Sequence, residues 1–202
     1  MNRNLLLFGV IAGIVFFVTV YGLAVFLPDY SHLSKTVSEI GRIGSPVETP
    51  FKVGMLAVNL CVILFAVGLF EFARSTHLPG LPVYFILFYG LADIGTNVFP
   101  SPHSLHNVFG LSLTIGYLAP LVTSIAWRRF VIVRPVVRVS AFIATLILVS
   151  IFLNVSPAFN RDLYPLEYFG IVQRSIFVLF YGWCAYLGIT SWRIARDIQN
   201  HY

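Results

Sequence analysis

The chain has 202 residues, of which 58% are hydrophobic and only 10% charged, and its mean hydropathy is +0.86. Soluble domains carry about 25% charged residues, so this composition excludes a water-soluble globular domain. The net charge of +5 does not point to nucleic acid, because the basic residues stand at the ends of apolar stretches, as orientation charges do.

A helix needs about 20 apolar residues to cross the hydrocarbon core. The first such stretch, 5–27, is longer than the apolar region of a signal peptide, about 7–15 residues. It ends in Leu27-Pro28-Asp29-Tyr30 rather than a small-residue cleavage pattern, so it reads as a retained helix. Gly9 and Gly13 within it make a GxxxG spacing, which serves close packing more often than dimerisation. The second to sixth helices are expected at about 51–72, 81–99, 104–127, 136–155 and 167–192. Prolines at 28, 50, 79, 82, 100, 102, 135, 157 and 165 punctuate the boundaries, where proline is tolerated. Pro120 lies inside the fourth helix and predicts a kink. The reading is all-α: one polytopic transmembrane domain, 1–202, of six helices. Cys61 and Cys184 fall inside apolar stretches and read as packing residues rather than a disulfide.

Orientation follows from lysine and arginine counts in short loops. Arg3, Arg74, Arg128, Arg129, Arg134, Arg138, Arg193 and Arg196 share one side. Lys35, Arg42, Lys52 and Arg161 share the other. Both termini are therefore expected in the cytoplasm, the membrane being the plasma membrane in a prokaryote. The loops at 28–50, 100–103 and 156–166 are expected outside. In the longest loop, Leu33, Val37, Ile40 and Ile43 approach a helical period. That predicts a short amphipathic helix on the interface, or a lid folded over the bundle.

An ionisable residue inside a membrane helix costs several kcal/mol unless it is paired. Asp93 lies about 9 Å below the outer end of the third helix, and Arg174 about 12 Å below the outer end of the sixth. The similar depths predict an ion pair. Glu167 stands two turns above Arg174 on the same face, Gln173 is adjacent, and Asn97 lies one turn above Asp93. His103, His106 and Asn107 follow the turn Phe99-Pro100-Ser101-Pro102. With Glu39 and Arg42 these residues are expected to gather at one outward-facing rim; His32 is a further candidate, whereas His77 and His201 belong to the inner side.

Three readings compete. Asp93, His103 and His106 offer nitrogen and oxygen ligands for zinc, with an open position to activate water. Alternatively, the polar residues hold the helices together by hydrogen bonds and the Asp93–Arg174 pair. In the third reading the pocket binds a lipid or small amphiphile, with Arg174 holding an anionic group. Haem is disfavoured for want of histidine pairs at depth in facing helices. Asn154-Val155-Ser156 is formally a glycosylation sequon, discounted because Pro157 follows at the membrane edge.

Several short motifs occur in a telling order. They are Ser38-Glu39-Ile40-Gly41 after the first helix, Asp93 with Phe99-Pro100, His106-Asn107, and Gly170-Ile171-Val172-Gln173-Arg174. Over about residues 5–192 the chain resembles the "domain of unknown function 998" family of six-helix membrane proteins, which is similar to the wider Frag1/DRAM/Sfk1-like group. The resemblance implies the six-helix fold and no established activity. It singles out Ser38, Glu39, Asp93, His106, Asn107, Gln173 and Arg174, and does not carry His103. Intramembrane zinc hydrolases such as alkaline ceramidases are a more distant likeness, since they have seven helices and a late histidine pair that this chain lacks. The function expected is binding of a membrane lipid or amphiphile in an outward-facing pocket. The alternatives are a metal-dependent hydrolase or transferase acting on a lipid, and a structural subunit.

Overall fold

The computed structural model describes residues 2–160 and 162–200, so Arg161 and His201 lie outside the described residues. Every regular element among the described residues is helical. Helix α1 (Phe8–Ala24) follows a 3-10 turn, and α2 spans Glu48–Ser75, α3 Leu81–Val98 and α4 Ser104–Gly116. Then come α5 (Ala119–Ala126), α6 (Arg134–Val155) and α7 (Phe169–Asn200). With α4 and α5 counted as one broken span, six segments are long and apolar enough to cross a membrane. This is a multi-pass membrane protein. Large apolar side chains such as Val18, Val25, Leu111 and Phe142 point outward from the bundle, as helices surrounded by lipid require.

The expected kink at Pro120 is a complete break. Proline has no N–H to donate to the carbonyl four residues back, and the α-helix stops at Gly116 and resumes at Ala119. The two halves then go separate ways. α5 packs against α3 and α6, whereas α4 packs substantially on α3 alone. The other helices form a ring in which α1 lies between α2 and α7, α2 between α1 and α3, and α6 against both α5 and α7. The ring is therefore open between α4 and the α6–α7 pair, on the half of the bundle that carries the long loop.

The GxxxG glycines of α1 serve packing within the chain. A Cβ on Gly9 would stand 2.6 Å from the Cys184 carbonyl oxygen, and one on Gly13 would touch the Tyr181 Cβ at 3.5 Å. The four arginines 128, 129, 134 and 138 are all exposed at the opposite end of the bundle from the long loop.

That loop is not an amphipathic helix. Its only helical turn is the 3-10 segment Val37–Glu39, closed by Thr36 and Glu39 as a reciprocal cap. The segment 28–47 folds down as a strap, burying Val37 and Ile40 in the core and leaving Leu33 and Ile43 exposed. Its backbone bonds to other elements instead of to a helix of its own. The Val37 N–H donates to Gln173 Oε1 at 2.9 Å. The Ile43 N–H donates to the Ser101 carbonyl at 2.8 Å, and the Ile171 N–H to the Leu33 carbonyl at 3.0 Å.

Candidate functional site

Under the strap, between α3, α4, α6 and α7, lies a cavity of about 480 Å³. Its rim carries Ser38 from the strap, Asn97, His106 and Asn107 from the α3–α4 region, and Gln173 from α7. Its floor includes Asp93, Phe16, Tyr117 and Phe177. The side toward α6 is flanked by Gly110, Leu111 and Thr114 on α4 and by Ile151, Asn154 and Val155 on α6.

Asp93 is 4% exposed. Its Oδ1 accepts from the Thr96 hydroxyl at 3.1 Å, and its Oδ2 has no partner. The amide of Asn59, on α2, lies beside the carboxyl, yet neither of its polar atoms reaches hydrogen-bond geometry. Tyr117, at the break between α4 and α5, is buried with an unpartnered hydroxyl. Below them a closed aromatic layer ends the cavity: the Tyr89 and Tyr181 hydroxyls meet at 3.0 Å, and the Tyr89 and Phe180 ring centres lie 4.2 Å apart.

The expected Asp93–Arg174 ion pair is absent. The one ion pair among the described residues joins Arg196 to Asp197. The helices carrying Asp93 and Arg174 are not backbone neighbours and meet through Tyr89 and Tyr181, so Asp93 stands one turn above that contact and Arg174 two. Arg174 turns to the strap. Its Nη1 donates to the carbonyls of Lys35 at 2.7 Å, Gly170 at 2.8 Å and His32 at 2.9 Å. Its Nη2 donates to the Tyr30 hydroxyl. A helix terminus, a turn and a tyrosine thus take up both terminal nitrogens of a buried cation with no carboxylate, while its Nε has no partner.

The strap crosses α7 at Gly170, where a Cβ would stand 2.5 Å from the Lys35 carbonyl and 2.7 Å from that of His32. His32 does not join the cavity; its ring lies on Tyr21 and Tyr30, with centres 4.6 and 5.2 Å away. Burial and the nearby Arg174 charge hold its pKa below the ordinary 6.5. His32 and Arg174 instead line a separate apolar groove between the strap, α6 and α7.

Other expected members are also apart from the cavity. Glu39 is spent on the cap of its own turn, receiving the Thr36 N–H at 2.8 Å and the Thr36 hydroxyl at 2.9 Å. Glu167 is exposed on a 3-10 turn and Arg42 is exposed on the strap; neither lines the cavity. Asn97 reaches the rim, but its Nδ2 donates to the Asp93 carbonyl at 2.8 Å.

Asp93, His103 and His106 do not assemble as a ligand set. Among the described residues no three His, Cys, Asp or Glu side chains stand close enough to hold a metal ion. His103 is the exposed N-cap of α4, its Nδ1 accepting the Leu105 N–H at 3.1 Å. His106 Nδ1 lies between the carbonyls of Thr96 at 3.1 Å and Phe99 at 3.0 Å. Two acceptors fix that nitrogen as the protonated one, leaving Nε2 as an acceptor when the ring is neutral.

Sequence reasoning missed Asn59 and Tyr117. Asn59 carried a signal, being the one amide in an otherwise apolar run, which is where polar residues report interhelical or ligand contacts. Tyr117 carried none, since tyrosine is common at membrane interfaces. No curated protein and no solved structure matches the chain significantly. The family model described as "Protein of unknown function (DUF998)" matches residues 10–190. The six-helix bundle, with its strap and its cavity, belongs to that family.

Proposed function

We propose that this membrane protein binds a lipid or small amphiphile in the cavity beneath the strap. The observation that carries this reading is the broken fourth span: α4 leans on α3 alone, so the cavity lies behind a gap between α4 and α6. In a bilayer such a gap faces acyl chains rather than water. An apolar tail is expected to lie between α4 and α6, with the polar end of the ligand inside. The volume of about 480 Å³ falls within the range of about 300–1,000 Å³ usual for small-molecule sites. The arginines at the far end of the bundle support cytoplasmic termini and a cavity near the outer leaflet.

Native mass spectrometry of protein extracted in mild detergent tests this. Gly110 lines the gap and has open space around its Cα. Gly110→Trp is expected to leave the melting temperature unchanged and to abolish co-purified amphiphile. Equal amphiphile in variant and parent would reject the reading.

A further inference from the structure

We infer that the ligand enters with its polar end inward and that this end is a protonated amine docked on Asp93. The inference rests on the cavity being an amphiphile site, and adds the chemistry of the head group.

Seven buried side-chain polar atoms among the described residues lack a hydrogen-bond partner. Four of them belong to Asn59, Asp93 and Tyr117, at or beside the cavity floor. Native interiors pair nearly all such groups, so a concentration of orphans marks a place where something else bonds. Three of the four atoms, Asp93 Oδ2, Asn59 Oδ1 and the Tyr117 oxygen, accept hydrogen bonds. A carboxylate at this depth also requires a cation. Arg174, the one buried cation among the described residues, is taken by Tyr30 and three carbonyls. Lys52 lines the cavity but is exposed at its mouth, on the first turns of α2. Glu48, beside it, adds negative charge there and is held by the Gly44 N–H at 2.7 Å. An ammonium group has three donors and no acceptor, and so complements this floor. A phosphate or fatty-acid carboxylate would bring more acceptors against an unpaired carboxylate.

Hexadecylamine, hexadecanol and hexadecanoic acid share one tail and differ in head group. Their binding to the full chain, delipidated in detergent, is to be measured by native mass spectrometry and by change in melting temperature. The amine is expected to bind roughly tenfold or more tightly than the alcohol, and the acid least, as charge-assisted bonds dictate. Asp93→Asn is expected to remove the preference for the amine while leaving binding of the alcohol. If this variant does not fold, the ranking in the parent protein decides. Binding of the acid or alcohol as tight as that of the amine overturns the head-group assignment and leaves the amphiphile site standing. Binding of none of the three, together with an inert Gly110→Trp variant, overturns both.

Discussion

Arg174 and Asp93 are both buried, ionisable and set in transmembrane helices, yet the protein treats them in opposite ways. The guanidinium is bonded to three carbonyls and a tyrosine hydroxyl, with its Nε alone left over. The carboxylate keeps an unpartnered oxygen beside other unpartnered groups. The first arrangement rigidifies, since it pins the strap to α7. The second costs stability and is open to a ligand. Membrane depth alone therefore does not distinguish the two residues; the accounting of their partners does.

The sharpest way to break this contrast is to remove each charge. Arg174→Met leaves the Lys35, His32 and Gly170 carbonyls without their common donor. At about 1.5–3 kcal/mol for each hydrogen bond to a charged group, a loss of about 3 kcal/mol or more is expected. Denaturant unfolding in detergent measures it, and new proteolytic cleavage within 28–47 would locate it. Lysine is expected to recover only part, because a single ammonium cannot reproduce the guanidinium fork. If Arg174→Met melts like the parent, the strap is held by something other than this network.

Next in size is the point where strap and helix touch. Gly170→Ala introduces a methyl 2.5 Å from a backbone oxygen, which only movement of the strap relieves. Overpacking of this kind costs about 1–3 kcal/mol. A thermal melt of this variant beside Gly182→Ala, where the added Cβ meets nothing within 4 Å, separates the contact from helix propensity.

Asp93→Asn is expected to behave unlike Arg174→Met. Replacing an orphaned buried carboxylate by a neutral isostere changes stability by less than about 1 kcal/mol, or raises it, as sites kept for function often do. A melting temperature that falls as far as in Arg174→Met would show that Asp93 is structural.

The spans were legible because hydrophobic length and proline position are local properties. The strap was half legible. Val37 and Ile40 advertised burial, but the Val37 N–H finds its partner on α7, at Gln173 some 136 residues away. The Asp93–Arg174 pair misled because depth was inferred from sequence while azimuth was not. A helix residue has a facing direction set by packing, and α3 and α7 meet through Tyr89, Phe180 and Tyr181 rather than through Asp93 and Arg174. Asn59 illustrates the remaining gap: its chemistry was visible, but its position beside Asp93 is a fact of packing.

The smallest effect expected concerns pH at the strap. Burial and the Arg174 charge hold the His32 pKa below its ordinary 6.5, so the unfolded chain takes up the proton more readily than the folded one. Stability then rises with pH through that window. It is complete above about 6.5 and declines as acid brings the pH down toward the lowered folded value. His32→Phe keeps an aromatic ring between Tyr21 and Tyr30 and removes the titration. Melting temperatures of parent and variant, followed downward from neutral pH, are expected to separate as the parent alone loses stability. Parallel curves would mean that protonated His32 is accommodated without disturbing Arg174, and that the strap yields at its arginine alone.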